Sequence, residues 1–451
     1  MTSFDLFGVG IGPFNLSLAA LADTVPGLRC RFMERRARFA WHPGLMIPGA
    51  TMQTSFLKDL VTPVLPTSRW SFLNYLVTHG RFFDFMAGRN ACASRAEFAD
   101  YMGWVAHGLD STGFGDPVET VDHDGQEFVI QGASGQRWRS RAVSVGVGMQ
   151  PDIPGFAAPG PDCLHASRWL ERPLRLAGRR IAVIGGGQSG AEIVLDLLSR
   201  SDGPAQIIWI SRRPGFWTLQ EGAFIDQFFT PGYVMAWRGQ SPSAREAVLA
   251  GQKYASDGIT PATADAIHDA LYQRRREGRG DTVLRPGREV HAIRRTARGQ
   301  VIEAQVAGTD RPERCEADLV VLATGYRPAV PDCLEPLAAR LHRQSDGGLA
   351  LDAHFRVIWD GPRQTPLYAM NHGRHSHGIA DPQISLAAWR SAVMLNDLTG
   401  QLPFPALAER ADSPMVDWPG REGKEGTRGD DKIATAMAGS PMPLANRRLS
   451  Y

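Results

Sequence analysis

Residues 180–198 read RIAVIGGGQSGAEIVLDLL, which is a β-branched run, a glycine-rich turn and then a segment with helical periodicity. Gly185, Gly187 and Gly190 fill the pattern G-x-G-x-x-G. The first glycine permits a tight turn, the second lets backbone amides approach a pyrophosphate, and the third packs the helix against the strand. The stretch therefore predicts an α/β fold class and a Rossmann-like strand, turn and helix that bind a dinucleotide.

The N-terminal stretch FDLFGVGIGPFNLSLAAL repeats this order in a modified form. Gly8 and Gly10 take the first two motif positions, and Pro13 stands where the third glycine usually lies. A proline costs little in the first turn of a helix, and the helix that opens near Gly12 points its positive end at a bound anion. Glu34 follows the next apolar run, at the spacing of a carboxylate that binds ribose hydroxyls. Because this turn begins the chain, FAD is favoured over a nicotinamide.

The apolar strand after the second glycine turn ends in cations instead of an acid. IIWI, residues 207–210, is followed by Ser211, Arg212 and Arg213. Arginines suit a 2′-phosphate that an acid would repel, so NADPH is predicted; the alternative interpretation is a solvated basic loop. Two such sites in one chain indicate hydride transfer from NADPH to FAD.

The bulk composition bounds the class of protein. The 451 residues are 43% hydrophobic and 21% charged, and 49 basic against 47 acidic residues leave a net charge of +2. This balance favours neither nucleic acid nor a membrane surface as a partner. Five scattered cysteines without a C-x-x-C pair predict reduced thiols and exclude a dithiol flavoenzyme. With no apolar leader and no apolar stretch of about 18 residues, a cytoplasmic protein is expected.

The landmarks predict two Rossmann-like domains, with the NADPH domain inserted in the FAD domain. The expected divisions are residues 1–165 with 315–400 for FAD, 166–315 for NADPH, 239–278 for a small helical substrate region within the latter, and 412–451 for a disordered tail. The run 318–323 is expected to return the chain to the first sheet.

Four longer stretches carry a family resemblance. They are WHPGLMIPGATMQTSFLKDLV (41–61), SFLNYLVTHGRFFDF (71–85), DLVVLATGYRPAVP (318–331) and HGIADPQISLAAWR (377–390). The chain resembles the bacterial L-lysine 6-monooxygenases and, more distantly, the L-ornithine N-hydroxylases, from its first strand to about Asn396. Both serve hydroxamate siderophore biosynthesis, and such enzymes are often tetramers, so the resemblance implies a homo-oligomer.

The resemblance also implies positions for the cofactors. The residues implied to lie against FAD, beyond the first glycine turn, are Trp41, His42, Gln53, Thr324, Gly325 and Pro382. The residues implied to hold NADPH, beyond the three motif glycines, are Gly186, Gln188, Ser189, Arg212, Arg213 and Tyr326. An ordinary buried turn is the alternative for Trp41 and His42.

For the substrate, the resemblance points to Lys58, because the amino-acid hydroxylases of the family use a lysine there to pair with the substrate carboxylate. Gln53 lies in the same segment. Two asparagines that hold the amino-acid end in ornithine enzymes align with Asp226 and Ser256, which favours L-lysine. Asp226 or Asp257 would alternatively meet an ammonium, so putrescine or cadaverine remains open.

The implied reaction needs no nucleophilic side chain. NADPH reduces FAD, O2 adds to give a C4a-hydroperoxide, and the outer oxygen passes to the uncharged terminal amine. A Baeyer–Villiger or general flavin monooxygenase is an alternative, but of its linker motif only His165 and Trp169 are present, with Pro161 in place of glycine. A non-catalytic flavin-binding sensor is another. No metal is expected, since His372, His375 and His377 lie in NHGRHSHG (371–378), which runs into the family-like C-terminal stretch, and they are interpreted as loop or flavin-side residues.

Overall fold

The computed structural model describes residues 2–405, except 90, 172 and 280, together with residues 416–420. Its strands, in chain order, are β1 (Thr2–Val9), β2 (Cys30–Glu34), β3 (Thr112–Phe114), β4 (Val118–His123), β5 (Phe128–Gly132), β6 (Arg137–Val145), β7 (Gln150–Pro151), β8 (Cys163–His165), β9 (Arg180–Ile184), β10 (Gln206–Ser211), β11 (Asp281–Pro286), β12 (Arg288–Thr296), β13 (Gly299–Val306), β14 (Pro312–Ala317), β15 (Leu319–Leu322), β16 (Tyr326–Arg327) and β17 (Leu367–Ala369).

The helices follow the same order, and several begin with a proline at the first turn. They are α1 (Pro13–Ala22), α2 (Phe72–Thr78), α3 (Phe82–Ala87), α4 (Arg95–Gly108), α5 (Gln188–Ser199), α6 (Ala223–Asp226), α7 (Pro231–Arg238), α8 (Pro242–Gly251), α9 (Lys253–Ser256), α10 (Pro261–Arg276), α11 (Arg374–His377) and α12 (Ala387–Thr399). Within the described residues, no helix combines the length and the apolar character that crossing a bilayer requires.

The first sheet has the strand order β3-β2-β1-β6-β5-β4, with β17 also paired to β6. The sheet has a parallel part and an antiparallel part that share β6. Strands β3, β2, β1, β6 and β17 run parallel to one another, and β6, β5 and β4 form an antiparallel meander. Helix α1 follows β1 and is buried along its whole length, and it packs against α12. This is the Rossmann-like arrangement predicted for the first glycine turn.

The second sheet is wholly parallel and has the order β11-β10-β9-β15-β8. Its glycine turn joins β9 to α5, and a separate antiparallel sheet of β12, β13 and β14 follows β11 in the chain. The predicted fold class, two Rossmann-like domains in one α/β chain, is confirmed.

Two strands lie in a different sheet from the one expected. Strand β15 pairs with β9 and β8, so it belongs to the second sheet, and the chain returns to the first sheet only at β17. Strand β8, expected in the first domain, also lies in the second sheet. The four residues of β15 are all buried, and such a run has the same sequence pattern in either parallel sheet.

The helical region is larger than expected, because it begins at α6 instead of residue 239. Its last helix, α10, packs on α5 of the second sheet, while α7 packs on α11. Of the expected tail, residues 416–420 are described, and Trp418 packs against Phe228 and Tyr233 with ring centroids 5.3 and 5.0 Å apart. This segment is therefore placed against the helical region. The rest of the expected tail, 412–415 and 421–451, lies outside the described residues.

Candidate active site

The first glycine turn is shaped by close backbone contacts. Gly10 has a φ of +85°, and a methyl group on it would lie 2.9 Å from the carbonyl oxygen of Gly146. The buried amide of Asn15 donates to the carbonyl oxygens of Val9 and Gly10 at 3.1 and 2.9 Å. Gly12 caps α1 without a side-chain hydrogen bond to the first-turn amides. The turn thus offers backbone amides and an uncrowded helix terminus, which fit a pyrophosphate.

Glu34 lies beside this turn at the carboxyl end of β2. Its carboxylate accepts hydrogen bonds from the Ile11 amide at 3.0 Å and from the Arg36 amide at 3.2 Å. These bonds fix the carboxylate next to the phosphate-binding turn while leaving acceptor positions for ribose hydroxyls. The residues therefore fit the adenosine half of FAD.

The second glycine turn is equally constrained. Gly185 has a φ of +132°, and a methyl group on it would overlap the Ala323 carbonyl oxygen. A methyl on Gly190 would overlap the carbonyl oxygen of Gly185. Gly187, by contrast, caps α5 with no side-chain hydrogen bond and has open space around its Cα. The open position faces the helix terminus where a pyrophosphate would bind.

The basic residues after β10 have different surroundings. Arg213 donates to the Asp257 carbonyl oxygen at 2.7 Å, and its guanidinium lies 5.7 Å from the Tyr254 ring centroid. Arg212 is exposed and makes no hydrogen bond or ion pair with any described residue. Arg212 is consequently the freer of the two cations for a 2′-phosphate.

Trp41 and His42 lie in the loop between β2 and α2. Their rings lie 5.1 Å apart, and His42 has a φ of +43°. His42 is exposed on one side, and the protein atoms around it, together with Arg95 and Arg36, lower its pKa to about 4. It is therefore a neutral imidazole at physiological pH.

The segment from Thr324 to Tyr326 is held in place by Asp152 and His165. Thr324 donates to the carbonyl oxygen of Asp152, and His165 donates from Nε2 to the Gly325 carbonyl oxygen at 3.0 Å. The rings of His165 and Tyr326 meet edge to face at 5.2 Å. His165 thus positions the segment that is implied to contact both cofactors.

Lys58 lies on a rigid turn. The next residue, Asp59, is buried and accepts hydrogen bonds from the amides of Val61, Thr62 and Phe72 at 2.9, 2.6 and 2.6 Å. The Lys58 side chain is half-buried, and within the described residues its ammonium has no hydrogen-bond or ion-pair partner. The turn therefore holds a cation that is available to an anionic group.

Of the other residues implied to bind substrate, one carboxylate has an ion-pair partner and the remaining side chains differ in exposure. Asp257 forms an ion pair with Arg374 at 3.2 Å. Asp226 is exposed, and the hydroxyl of Ser256 is buried; neither has a side-chain partner among the residues that the structure describes. Gln53 is exposed in the loop before Lys58. In the described part of the chain, no hydrogen bond or ion pair joins Lys58 to Asp226, Ser256 or Asp257.

The three C-terminal histidines each have a separate partner. Nδ1 of His372 accepts from the Leu349 amide at 3.0 Å, His375 pairs with Asp346 at 3.0 Å, and His377 stacks on Phe355 with centroids 4.0 Å apart. Among the described residues there is no group of three potential metal ligands.

Sequence reasoning did not identify an ion pair between α4 and α5. Arg95 and Glu192 form two hydrogen bonds of 2.8 and 2.6 Å. One feature of the sequence could have indicated this pair. Glu192 is an acid between the apolar residues Ala191 and Ile193, and it lies one helical turn after Gln188.

Two glycine turns that fit dinucleotides, each following a parallel strand of its own sheet, define an oxidoreductase with two nucleotide cofactors. The family model described as L-lysine 6-monooxygenase/L-ornithine 5-monooxygenase matches residues 2–328. The chain belongs to this family, and it is therefore an amine-hydroxylating monooxygenase, as the resemblance implied. The ketone-oxidising and non-catalytic alternatives are set aside.

Three similar proteins have different substrates. The L-lysine N6-monooxygenase of Escherichia coli is 39% identical over 419 residues, covering 90% of this chain and 98% of its own. The FAD-bound cadaverine monooxygenase of Erwinia amylovora has 29% identity, a TM-score of 0.84 and coverages of 90% and 96%. The Kutzneria sp. 744 ornithine N-hydroxylase, solved with reduced FAD, NADP+ and L-ornithine, has 27% identity, a TM-score of 0.82 and coverages of 88% and 99%.

Proposed function

We propose that this protein hydroxylates the terminal amine of L-lysine for hydroxamate siderophore biosynthesis. The free ammonium of Lys58 carries this proposal. It lies half-buried on a turn fixed by Asp59 and has no protein partner among the described residues, so it is available to a ligand that carries the opposite charge. The α-carboxylate of an amino acid supplies that charge, whereas a diamine has no carboxylate.

Charges elsewhere in the site support an amino acid over a diamine. The Asp257 carboxylate is already compensated by Arg374, so of the two described carboxylates implied to meet the substrate, Asp226 is the one without a partner. We assign Lys58 to the substrate α-carboxylate and Asp226 to its α-ammonium, with the Ser256 hydroxyl as a further hydrogen-bond group. One free cation and one free anion match a zwitterion, while a diamine bound at Asp226 would leave Lys58 unpaired.

FAD and NADPH are the cofactors, as predicted. When bound, FAD reduced by NADPH would activate O2, one oxygen atom of which goes to the amine and the other to water. The residues of the chain bind and orient: we assign Gly10 and Glu34 to FAD, and Gly187, Gln188 and Arg212 to NADPH, each from its position at the corresponding turn or strand end. The glycine turns bring backbone amides to each pyrophosphate, and Arg212 meets the 2′-phosphate.

The enzyme must also select an uncharged amine. The reference pKa of a lysine amine is about 10.4, so roughly one molecule in a few thousand is neutral at pH 7. A pocket that excludes water disfavours the ammonium form and raises that fraction. Fixing the opposite end of the substrate at Lys58 sets the chain length that reaches the flavin, which is how the site would prefer lysine to the shorter ornithine.

The test is the substitution Lys58→Ala with L-lysine as substrate. Loss of a charge-assisted hydrogen bond raises KM for L-lysine by about 10- to 100-fold, while NADPH-driven flavin reduction without amine persists. Lys253→Ala, which removes an exposed lysine on α9, is the matched control and leaves KM unchanged. An unchanged KM in Lys58→Ala would contradict the assignment.

The second candidate is diamine hydroxylation, which the free carboxylate of Asp226 and the cadaverine monooxygenase similarity favour. Trapping the hydroxylamine product with L-lysine, L-ornithine, putrescine and cadaverine separates the candidates. For a diamine enzyme, Lys58→Ala leaves the KM of the diamine unchanged and Asp226→Asn raises it. We also propose that the protein is cytoplasmic, which fits the five free cysteines. We further propose that it is a homo-oligomer, and light scattering measures the mass of that assembly.

A further inference from the structure

A buried ion pair connects the helices of the two dinucleotide domains. Arg95, at the first position of α4, donates from both terminal nitrogens to the two carboxylate oxygens of Glu192 on α5, at 2.8 and 2.6 Å. Only 15% and 9% of the two side chains remain exposed. Helix α4 packs in the hydrophobic core of the first sheet and α5 in that of the second. The pair therefore bridges the two domains.

Both members of the pair make further hydrogen bonds, and these reach the cofactor-binding segments. Arg95 also donates to the Leu45 carbonyl oxygen at 3.0 Å, in the loop that begins with Trp41 and His42. Gln188, in the second glycine turn, donates to the Glu192 carboxylate at 3.0 Å. The side-chain oxygen of Gln188 in turn accepts from the Thr260 amide at 2.8 Å. A continuous polar path thus runs from the flavin-side loop to the nicotinamide-side turn.

A buried charged pair contributes little net stability, because desolvation offsets most of the attraction, so stability alone does not explain its presence here. A bidentate arginine–carboxylate contact fixes both distance and orientation. Reduction of the flavin requires the nicotinamide and the isoalloxazine ring in near-attack geometry, so the relative position of the domains controls the rate.

We propose that Arg95 and Glu192 are positioning residues for flavin reduction. They hold the second domain against the first so that NADPH bound at the second turn meets the flavin bound at the first. Gln188, which we assign to NADPH, donates a hydrogen bond to the Glu192 carboxylate and so connects the nucleotide site to the ion pair. The inference rests on the proposed assignment of the two glycine turns to FAD and NADPH, but not on which amine is hydroxylated.

The first measurement is anaerobic stopped-flow reduction of the FAD-loaded protein by NADPH, with no amine present. In Arg95→Ala and in the isosteric Glu192→Gln, the limiting reduction rate falls about tenfold or more, while the Kd for NADPH changes less than about threefold. The matched control is Arg356→Ala, which breaks a bidentate pair with Asp397 of 2.6 and 2.8 Å between segments of the first domain. The control keeps the wild-type rate.

The second measurement does not depend on turnover. Hydrogen–deuterium exchange in the absence of NADPH becomes faster at residues 41–50 and 188–199 in Arg95→Ala, but not in Arg356→Ala. The charge reversal Arg95→Glu with Glu192→Arg restores slow exchange and at least part of the reduction rate.

Four results overturn the proposal, and the first three concern the kinetics. These are an unchanged reduction rate in both single variants, an equal loss in the Arg356→Ala control, and an effect confined to the Kd for NADPH. Loss of FAD from the isosteric Glu192→Gln would likewise show that the pair only maintains the fold. None of these results bears on lysine as substrate, because no amine takes part in the measurement.

Discussion

The imidazole of His377 is held neutral by its surroundings. It is 1% exposed, it stacks on Phe355, and its Nε2 lies 3.4 Å from a terminal nitrogen of Arg238. Burial, together with Arg238, Arg390 and Arg245, lowers the pKa of His377 to about 3. A positive imidazolium would therefore be both desolvated and repelled.

This shift makes stability depend on pH. Between the unfolded pKa of 6.5 and the folded value of about 3, the unfolded chain binds the proton that the folded protein refuses. Stability is thus fully present above the unfolded pKa and is lost as the pH falls, by up to about 1.4 kcal/mol per pH unit. In His377→Gln the loss of stability per pH unit is smaller. It is measured from the urea midpoints of unfolding between pH 7 and 4.5. The exposed His268→Gln is the control, and an unaltered slope in His377→Gln would show that another group causes the pH dependence.

At this scale the sequence predicted residues whose chemistry is set by local spacing. Gly10, Glu34 and Gly185 could be placed because each lies within one strand–turn–helix unit, and their geometry fits the expected cofactors. The pair of Arg95 and Glu192 could not, since 97 positions separate its members and only the packing of two domains brings them together. The substrate assignments, including Lys58, stay predictions.

The second glycine turn shows why an element needs particular residues at particular places. Gly185 and Gly190 are required by the fold, because any side chain would overlap a neighbouring carbonyl oxygen. Gly187 has a φ of −103° and open surroundings, so its lack of a side chain serves the ligand instead of the fold. The same short motif thus contains structural and binding positions.

Two substitutions separate these roles. Gly185→Ala destabilises the second domain by about 2 kcal/mol or more, from the unfavourable φ and the overlap, and lowers the thermal midpoint. Gly187→Ala keeps the midpoint but raises the Kd for NADPH, because the methyl group occupies the approach of the pyrophosphate. Calorimetry and equilibrium NADPH titration measure the two effects. Equal loss of stability in both variants would refute the distinction.

Element types were easier to predict than element partners. The turns that follow β1 and β9 were located correctly, but β15 was assigned to the wrong sheet because sheet membership depends on pairing distant in sequence. The antiparallel sheet of β12, β13 and β14 was not anticipated. Its strands carry many charged residues on partly exposed faces, so their alternating pattern is weak.

In the whole molecule, the helical region contacts both domains. Helix α10 packs on α5, while Trp237 and Arg245 donate to the His375 carbonyl oxygen at 3.3 and 3.2 Å. The ion pair between Asp257 and Arg374 adds a charged contact to the same segment. The region therefore joins the second domain to the C-terminal part of the first, next to the proposed substrate residues.

A short C-terminal segment completes this arrangement. Trp418 packs on Phe228 and Tyr233, and Gln240 donates to the Pro419 carbonyl oxygen at 3.0 Å. Phe228 follows the proposed substrate residue Asp226 closely in the chain. Residues 416–420 thus pack on the helical region at Phe228, Tyr233 and Gln240.

Trp418→Ala removes this packing contact. Loss of a partly buried aromatic side chain costs about 1 to 2 kcal/mol, which lowers the apparent thermal midpoint by about 2 to 8 °C. Because the segment around Asp226 loses its support, the KM for L-lysine rises as well, while NADPH-driven flavin reduction stays constant. Phe83→Ala, which removes a side chain on α3 that is 83% exposed, changes neither quantity. If Trp418→Ala keeps both the midpoint and the KM of the wild type, the segment does not support the substrate region, and the helical region is held by its contacts with α5 and α11 alone.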